Sequence, residues 1–216
     1  MEKINIAIWS DIVCPFCFIG KKKLEQAIEK LNLKDQVNIE WHSFQLDPDF
    51  PKGEAIPSSE YLAKRKKFPL EQIGAIQQQL TENAKPYGID FQFEKALSFN
   101  TFDVHRLWQW SKTFGKSSEF KDAFMLAYFT NGMDLSKEEN CLNVVGNCGL
   151  DKEVAKQILN SDKYSKEVDE DIYQASQIGV RGVPFFVINN QFTISGAQDD
   201  SVFESALQKV NVKIEI

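Results

Sequence analysis

The chain has 216 residues, of which 43% are hydrophobic and 26% are charged, and its formal net charge at neutral pH is -6. This composition is typical of a globular protein with enough apolar residues for one large core or two small ones. The acidic balance, without a basic stripe, argues against a nucleic-acid partner, and no segment approaches the roughly 18 apolar residues that cross a bilayer. The first residues lead directly into a predicted strand, without the pattern of a secretory signal, so we expect a cytoplasmic location.

The first two predicted elements are a strand and a helix that meet at a pair of cysteines. Ile4, Ile6 and Ile8 alternate with other residues, which is the two-residue period of a strand. A helix is predicted from Cys17 or just before it, because apolar residues recur at helical spacing after it among lysines and glutamates. Cys14 and Cys17 therefore occur where a strand passes into the N-terminus of a helix.

This position predicts redox chemistry for the two cysteines. The first turn of a helix has unpaired N–H groups and a partial positive charge, which favour a thiolate, the nucleophile of disulfide exchange. We therefore expect Cys14 to be the exposed attacking thiol and Cys17, one turn further on, to be more buried and able to bond to it. Pro15 suits the first helical position, where its missing N–H costs nothing. A structural cysteine pair or half of a zinc site is the alternative interpretation.

Cys141 and Cys148 fall in a predicted helix or at its end. An unbroken helix would separate them by about 10 Å, which is too far for a disulfide, although a bend at Gly146 and Asn147 would change that distance. We interpret them as small core residues, with an auxiliary redox pair as the alternative. Their spacing lacks the short interval that zinc ligands usually have, so we predict no metal site.

The next part of the chain is a second strand followed by a helical block. Residues 37–46 are rich in β-branched and aromatic side chains, and we expect this strand to lie parallel to the first one in a right-handed βαβ unit. Residues 47–57 contain several prolines, so they predict no regular element and mark a domain boundary. Residues 58–178 then have a helical period throughout. Helix starts are predicted at Ser59, Pro69, Thr101, Ser117 and Asp151, with a capping box at Ser136–Glu139.

The last part of the chain returns to strands. Residues 184–188 and 192–194, joined by a polar turn at Asn189 and Asn190, predict an antiparallel hairpin. A final helix is predicted to begin near Asp199 and Asp200. We therefore predict an α/β domain of residues 1–50 with 178–216, and an inserted helical domain of residues 51–177.

This order of elements, with Cys14-Pro15-Phe16-Cys17 opening the first helix, resembles the thioredoxin fold with a large all-helical insertion, which is the hallmark of the DsbA-like family. Within it, the segments CPFCFIGKKKLE, NTFDVHRL, GVRGVPFFVI and SGAQ resemble the FrnE-like cytoplasmic branch. The resemblance implies a thiol-disulfide oxidoreductase or isomerase that acts on disulfides or dithiols of proteins or small molecules.

The resemblance also implies a set of substrate-binding residues. Val183-Pro184 is expected to be a cis peptide beside the cysteines, with the backbone of Val183 pairing with an extended substrate segment; an ordinary trans proline is the alternative. Pro15 and Phe16 are expected to contact substrate. His105, in NTFDVHRL, is a candidate to line the groove opposite Cys14, against a packed or solvated histidine.

The direction of electron flow is open at this point. Phe16 stands where DsbA carries a histidine that helps to hold the thiolate, so we expect a less acidic Cys14 and a less oxidising couple than in DsbA, within about -270 to -120 mV. Asp11 would raise the pKa of the thiol if it points inward, and Arg181 would lower it if it packs under the loop. The sequence is consistent with an enzyme that acts as an oxidant, as a reductant or as an isomerase of disulfides.

A glutathione-dependent transferase or isomerase, resembling the kappa-class transferases and 2-hydroxychromene-2-carboxylate isomerases, is the second interpretation. Those relatives generally keep a serine near the first cysteine position, so the presence of both Cys14 and Cys17 counts against it. A redox-inert binding or zinc module is the third. The main interpretation needs no cofactor beyond the cysteine pair, with glutathione as an optional co-substrate. We expect a disulfide- or dithiol-containing substrate, no membrane partner, and a monomer or homodimer.

Overall fold

The computed structural model describes residues 3–214, which form two compact units. One unit joins the chain up to Leu46 to the chain from Asp169 onward, and the other comprises Asp47–Val168. The elements in chain order are β1 Ile4–Ser10, α1 Pro15–Lys30, β2 Val37–Ser43, β3 Ala55–Pro57, α2 Ser58–Lys66, α3 Leu70–Ala84, a short 3-10 helix Lys85–Tyr87, β4 Leu97–Phe99, α4 Phe102–Lys112, α5 Ser117–Phe129, α6 Glu138–Asn147, α7 Lys152–Leu159, α8 Ser165–Gln177, β5 Phe185–Ile188, β6 Phe192–Ser195 and α9 Asp200–Ile214.

The first unit is built on a four-stranded sheet in the order β2-β1-β5-β6. β1 pairs in parallel with β2, and β5 pairs antiparallel with both β1 and β6, as the sequence predicts. Ile6 at the centre of β1 lies between Ile39 of β2 and Ile188 of β5. Full burial of an isoleucine side chain contributes roughly 2 kcal/mol, so a buried central strand holds its neighbours in this order. The result is a thioredoxin-type sheet with β1 inside it.

Helices α1 and α9 pack on one face of this sheet. The rings of Phe186 in β5 and Phe203 in α9 meet edge to face, with 5.1 Å between their centroids. Gly20 in α1 approaches Phe186 so closely that a Cβ at this position would lie 3.2 Å from the end of the ring. The apolar side chains of α1 and α9 therefore form the core of this unit together with β5.

The C-terminal half of α8 is attached to the ends of β1 and β2 by one buried carboxylate. Asp171 accepts a hydrogen bond from the backbone N–H of Ser43 at 2.7 Å, and its other oxygen lies 2.7 Å from Nδ1 of His42. Trp9 donates from Nε1 to the carbonyl of Asp171 at 3.0 Å and stacks on His42, with ring centroids 4.5 Å apart. These bonds explain why the structure divides after Val168, whereas the sequence placed that boundary after residue 177.

The second unit is helical except for one short pair of strands. Its interior contains the stacked rings of Phe120 and Phe124 and the indole of Trp108, which donates to the carbonyl of Ser117 at 2.8 Å. Arg106 in α4 is buried and donates to backbone carbonyls at the end of α7 and in the segment after it, which fixes α4 against α7. Among residues 3–214, no helix has both the length and the apolar character that spanning a membrane requires.

Two local predictions in the helical unit are wrong. Residues 55–57 and 97–99 form strands β3 and β4, with Ala55 opposite Phe99, where the sequence predicts an irregular segment and a helical block. The predicted capping box also does not form, because the hydroxyl of Ser136 donates to Asp134 at 2.5 Å and α6 begins at Glu138 without a side-chain cap. By contrast, Asp151 caps α7 as predicted, through hydrogen bonds from the N–H groups of residues 153 and 154.

Replacing Asp171 by Asn tests whether this carboxylate fixes α8 to the sheet. The amide keeps the shape but cannot accept from both Ser43 and His42, so we expect the free energy of unfolding to fall by about 2 kcal/mol. Urea unfolding measures this change. Asp169→Asn, on an exposed face of the same helix, is the control and should leave the midpoint within error of the parent protein. An unchanged midpoint in Asp171→Asn would contradict the role of this carboxylate.

Candidate active site at the turn between β1 and α1

The two N-terminal cysteines lie at the junction that the sequence predicts. Helix α1 begins at Pro15, and Cys14 is the residue before it, with an extended backbone (φ -94°, ψ 111°). The N–H groups of Cys17 and Phe18 donate to the carbonyl of Cys14 at 3.1 and 3.4 Å. This first turn brings the two thiols within hydrogen-bonding reach of each other.

The solvent exposure of Cys14 and Cys17 differs from the prediction. Cys14 is only 3% exposed and Cys17 only 1% exposed, so the expected exposed attacking thiol is wrong. Phe16, between them, is 45% exposed instead. The loop that contains the cis proline accounts for part of this burial, because it lies against the Cys14 side chain.

That loop immediately precedes β5 and contacts α1 near Gly20. The Val183-Pro184 peptide bond is cis, as predicted. The thiol of Cys14 donates a hydrogen bond to the carbonyl of Val183 at 3.3 Å. A Cβ at Gly20 would lie 3.0 Å from Cγ of Pro184, so the absence of a side chain at residue 20 lets the proline pack against α1. Sequence reasoning missed Gly20, because nothing in the local pattern indicates this contact.

The electrostatics around Cys14 oppose the thiolate that the helix N-terminus was expected to favour. The hydrogen bond with Cys17 raises the pKa of Cys14 well above its ordinary value, and burial and the nearby carboxylate of Asp11 raise this pKa further. The backbone N–H of Cys17 acts in the opposite direction but is weaker. The site therefore holds Cys14 as a thiol near neutral pH, and the expectation of a stabilised thiolate is wrong.

Asp11 and Arg181, the two charged residues expected to affect the pKa of Cys14, differ in their placement. Asp11 points inward: its Oδ1 accepts from the N–H of Ile12 at 2.7 Å, and its Oδ2 accepts from the N–H of Leu46 at 2.8 Å. Arg181 is exposed, so it does not pack under the loop. The condition for raising the pKa of Cys14 is met, and the condition for lowering it is not.

The remaining candidates lie in the helical unit. His105 in α4 is fully buried, and its ring packs against Trp108 with 5.7 Å between centroids. Its role as a substrate contact stays a prediction.

Cys141 donates to the carbonyl of Leu135 at 3.1 Å, beside a cavity of about 130 Å³. Burial, with the charges of Asp103, Asp134 and Glu138, raises the pKa of Cys141 to about 12, so this thiol is a poor nucleophile. Cys148 is half-buried at the end of α6, and burial raises its pKa as well. Within residues 3–214, no three His, Cys, Asp or Glu side chains are grouped as metal ligands.

Comparison with known proteins gives consistent matches along almost the whole chain. Residues 5–208 match the DsbA-like thioredoxin domain family. The uncharacterized protein YwbO of Bacillus subtilis is 27% identical over 209 residues, covering 94% of this chain and 96% of that protein. The crystal structure of a probable DsbA oxidoreductase from Streptomyces coelicolor has a TM-score of 0.92 and 32% identity, covering 95% of this chain and 89% of that chain. A 2-hydroxychromene-2-carboxylate isomerase has the same fold, with a TM-score of 0.75 and 18% identity over 98% of each chain.

The contact between α1 and the cis proline predicts opposite effects for two glycine substitutions. Alanine in an open helical position stabilises a protein by about 0.5–1 kcal/mol relative to glycine, and Gly74 in α3 has free space around its Cα. We expect Gly74→Ala to gain this stability in urea unfolding, and Gly20→Ala to lose stability because its Cβ displaces Pro184. An equal gain in the free energy of unfolding of both variants would show that the loop with Pro184 moves aside without destabilising the protein.

The raised pKa of Cys14 predicts the pH dependence of its alkylation. Only the thiolate reacts with iodoacetamide, so the rate at Cys14 should rise roughly tenfold per pH unit from about pH 7 to about pH 9, without a plateau. Mass spectrometry of the Cys14 peptide, after timed labelling of the reduced protein, measures this rate. A peptide containing the same four residues is the reference, and its rate should level off near the ordinary thiol pKa. A plateau below neutral pH in the folded protein would contradict the raised pKa.

Proposed function

The chain belongs to the DsbA-like thioredoxin-domain family, and we propose that it is a thiol-disulfide oxidoreductase that works through the Cys14-Pro15-Phe16-Cys17 pair. The observation that carries this proposal is the arrangement at Cys14. Its thiol lies against Cys17 and donates to the carbonyl of Val183, the residue before the cis proline. Two thiols that can bond to each other support disulfide exchange, and the carbonyl of Val183 lies beside the first of them.

The reaction proceeds in two exchange steps that balance in atoms and electrons. The Cys14 thiolate attacks one sulfur of a substrate disulfide, which forms a mixed disulfide and releases the other substrate sulfur as a thiolate. The Cys17 thiolate then attacks the sulfur of Cys14, which closes the Cys14–Cys17 disulfide and releases the second substrate thiolate. The two protons lost by the enzyme thiols go to the two substrate thiolates. The reverse sequence oxidises a substrate dithiol.

The loop at Val183 is proposed as the substrate platform. An extended segment that pairs with the backbone of Val183 would place its sulfur next to Cys14, because the carbonyl of Val183 is already 3.3 Å from that sulfur. Phe16, which is exposed beside Pro15, offers an apolar surface next to the pair.

The cellular compartment and the redox partner of this activity are also proposals. The motifs around both cysteines and the cis proline support a cytoplasmic enzyme of the FrnE-like branch. In such a compartment thiols are kept reduced by thiol reductants, so glutathione is the natural low-molecular-weight partner of the couple. No cofactor is needed for the exchange itself.

Equilibration in glutathione redox buffers tests the proposed couple. We expect alkylation and mass spectrometry to show a Cys14–Cys17 disulfide that appears in one two-electron transition. If Cys14 takes up a single glutathione and no internal disulfide forms, the dithiol mechanism is wrong and the glutathione-dependent transferase or isomerase interpretation replaces it.

Single substitutions test the roles of the two thiols. Cys14→Ser should abolish the reduction of a model disulfide, because the attacking sulfur is missing. Cys17→Ser should trap the mixed disulfide on Cys14, which non-reducing gels and mass spectrometry detect. Cys148→Ser, in the helical unit, is the control and should keep parental activity. Equal loss without trapping in Cys17→Ser would contradict the assigned order of attack.

A further inference from the structure

The hydrogen bond between Cys14 and the carbonyl of Val183 depends on the redox state of the sulfur. The thiol donates its proton to this oxygen across 3.3 Å. A sulfur in a disulfide, whether with Cys17 or with a substrate, carries no proton and cannot make this bond. Each oxidation of Cys14 therefore removes a donor from the carbonyl of Val183, and each reduction returns it.

The loop that contains this carbonyl is held by contacts that do not involve the thiol. The carbonyl of Pro184 accepts from the N–H of Gly196 at 2.8 Å, and the ring of Pro184 packs against α1 at Gly20. Val183 is 9% exposed, so little water reaches it. A carbonyl held in this way stays in position when the thiol is oxidised, and a buried acceptor that loses its donor costs free energy.

A substrate segment is well placed to supply the missing donor. The side chains of Pro15 and Phe16, between the two cysteines, and that of Val183 itself have no hydrogen-bond donor. Gly182, the residue before Val183, has open space beside it, since a Cβ at this position would meet no atom within 4 Å apart from its chain neighbours. An extended segment can therefore approach the backbone here and donate an N–H to the carbonyl of Val183.

We propose that Cys14 and a bound substrate segment compete for the carbonyl of Val183, so that the oxidised enzyme binds an extended peptide more tightly than the reduced enzyme does. This inference rests on the proposed function, since it assigns a redox-dependent affinity to the same site. The competing group of the ligand is a backbone N–H. A carbonyl oxygen has two lone pairs, but a second donor gains less than a donor that satisfies an unpaired buried acceptor.

The competition couples binding to each exchange reaction. When the Cys14–Cys17 disulfide takes two electrons and two protons from a substrate dithiol, the proton on Cys14 regains the carbonyl and the oxidised product is held less tightly. In the reverse reaction the enzyme gives two electrons and two protons to a substrate disulfide, and the carbonyl becomes available to the reduced product. By linkage, a peptide that prefers the oxidised enzyme stabilises the Cys14–Cys17 disulfide by the same factor.

Peptide binding to the two redox forms tests this inference. The probe is a short acetylated peptide without net charge, with serine in place of the reacting cysteine. It is titrated by calorimetry into the oxidised and the reduced protein at about pH 6.5, where an ordinary thiol is protonated. Since one hydrogen bond changes an equilibrium constant by about fivefold, we expect the oxidised form to bind about fivefold more tightly. Saturating peptide should shift the equilibrium in glutathione buffers toward the disulfide by the same factor. The same peptide with N-methylated backbone amides lacks the donor and should show no preference.

Two substitutions of Cys14 separate the missing proton from the disulfide itself. Cys14→Ser keeps a hydroxyl donor for the carbonyl and should bind the peptide as the reduced protein does. Cys14→Ala has no donor and should bind it about fivefold more tightly than Cys14→Ser. Cys17→Ala, which cannot form the internal disulfide but keeps the thiol of Cys14, is the matched control and should bind as the reduced protein does.

The outcomes distinguish this inference from the proposed function. Equal affinity of Cys14→Ser and Cys14→Ala, or no binding of the peptide to the oxidised protein at millimolar concentrations, overturns the inference and leaves the redox couple intact. Failure of the parent protein to form the Cys14–Cys17 disulfide overturns the proposed function instead, and the comparison of the two Cys14 variants still tests the competition for the carbonyl.

Discussion

Burial of the Cys14 sulfur is the constraint on which the rest of the structure depends. A buried polar group needs partners, and those of Cys14 come from separate segments: the first turn of α1, the turn that contains Asp11, and the loop that ends in Val183. These segments meet because β1 lies between β2 and β5 in the sheet. The positive end of α1 acts on the same sulfur but does not dominate, because the hydrogen bond with Cys17 and burial both oppose the thiolate.

Features that depend on local chemistry could be predicted from the sequence. The alternation of isoleucines in β1, the position of Pro15 at the start of α1, and the polar turn between β5 and β6 all have local causes. The order of the sheet follows from short connections and from the right-handed βαβ rule. The resemblance to a known family then supplied the cis peptide at Val183, which no periodicity in the sequence could indicate.

Features that depend on distant partners could not be predicted. Strands β3 and β4 have three residues each, and only their pairing across some forty residues makes them strands. The attachment of α8 to the sheet depends on Asp171, whose partners lie in β2 and are indistinguishable from other polar residues in the sequence. The pKa of Cys14 was misjudged because two effects outweigh the helix N-terminus: the hydrogen bond with Cys17, which is local, and burial, which is a property of the folded unit.

The pairing of β1 with β5 also sets an order of events during synthesis. Translation delivers Cys14, Asp11 and β2 early, whereas Val183 and β5 leave the ribosome only after the whole helical unit has been made. Until then the nascent chain carries its two adjacent thiols without the carbonyl that later accepts the proton of Cys14. Domains generally fold as units during translation, and this unit is completed last although it starts first. In the growing chain the cysteines therefore meet oxidants and other thiols without the Val183 carbonyl that is beside Cys14 in the finished protein.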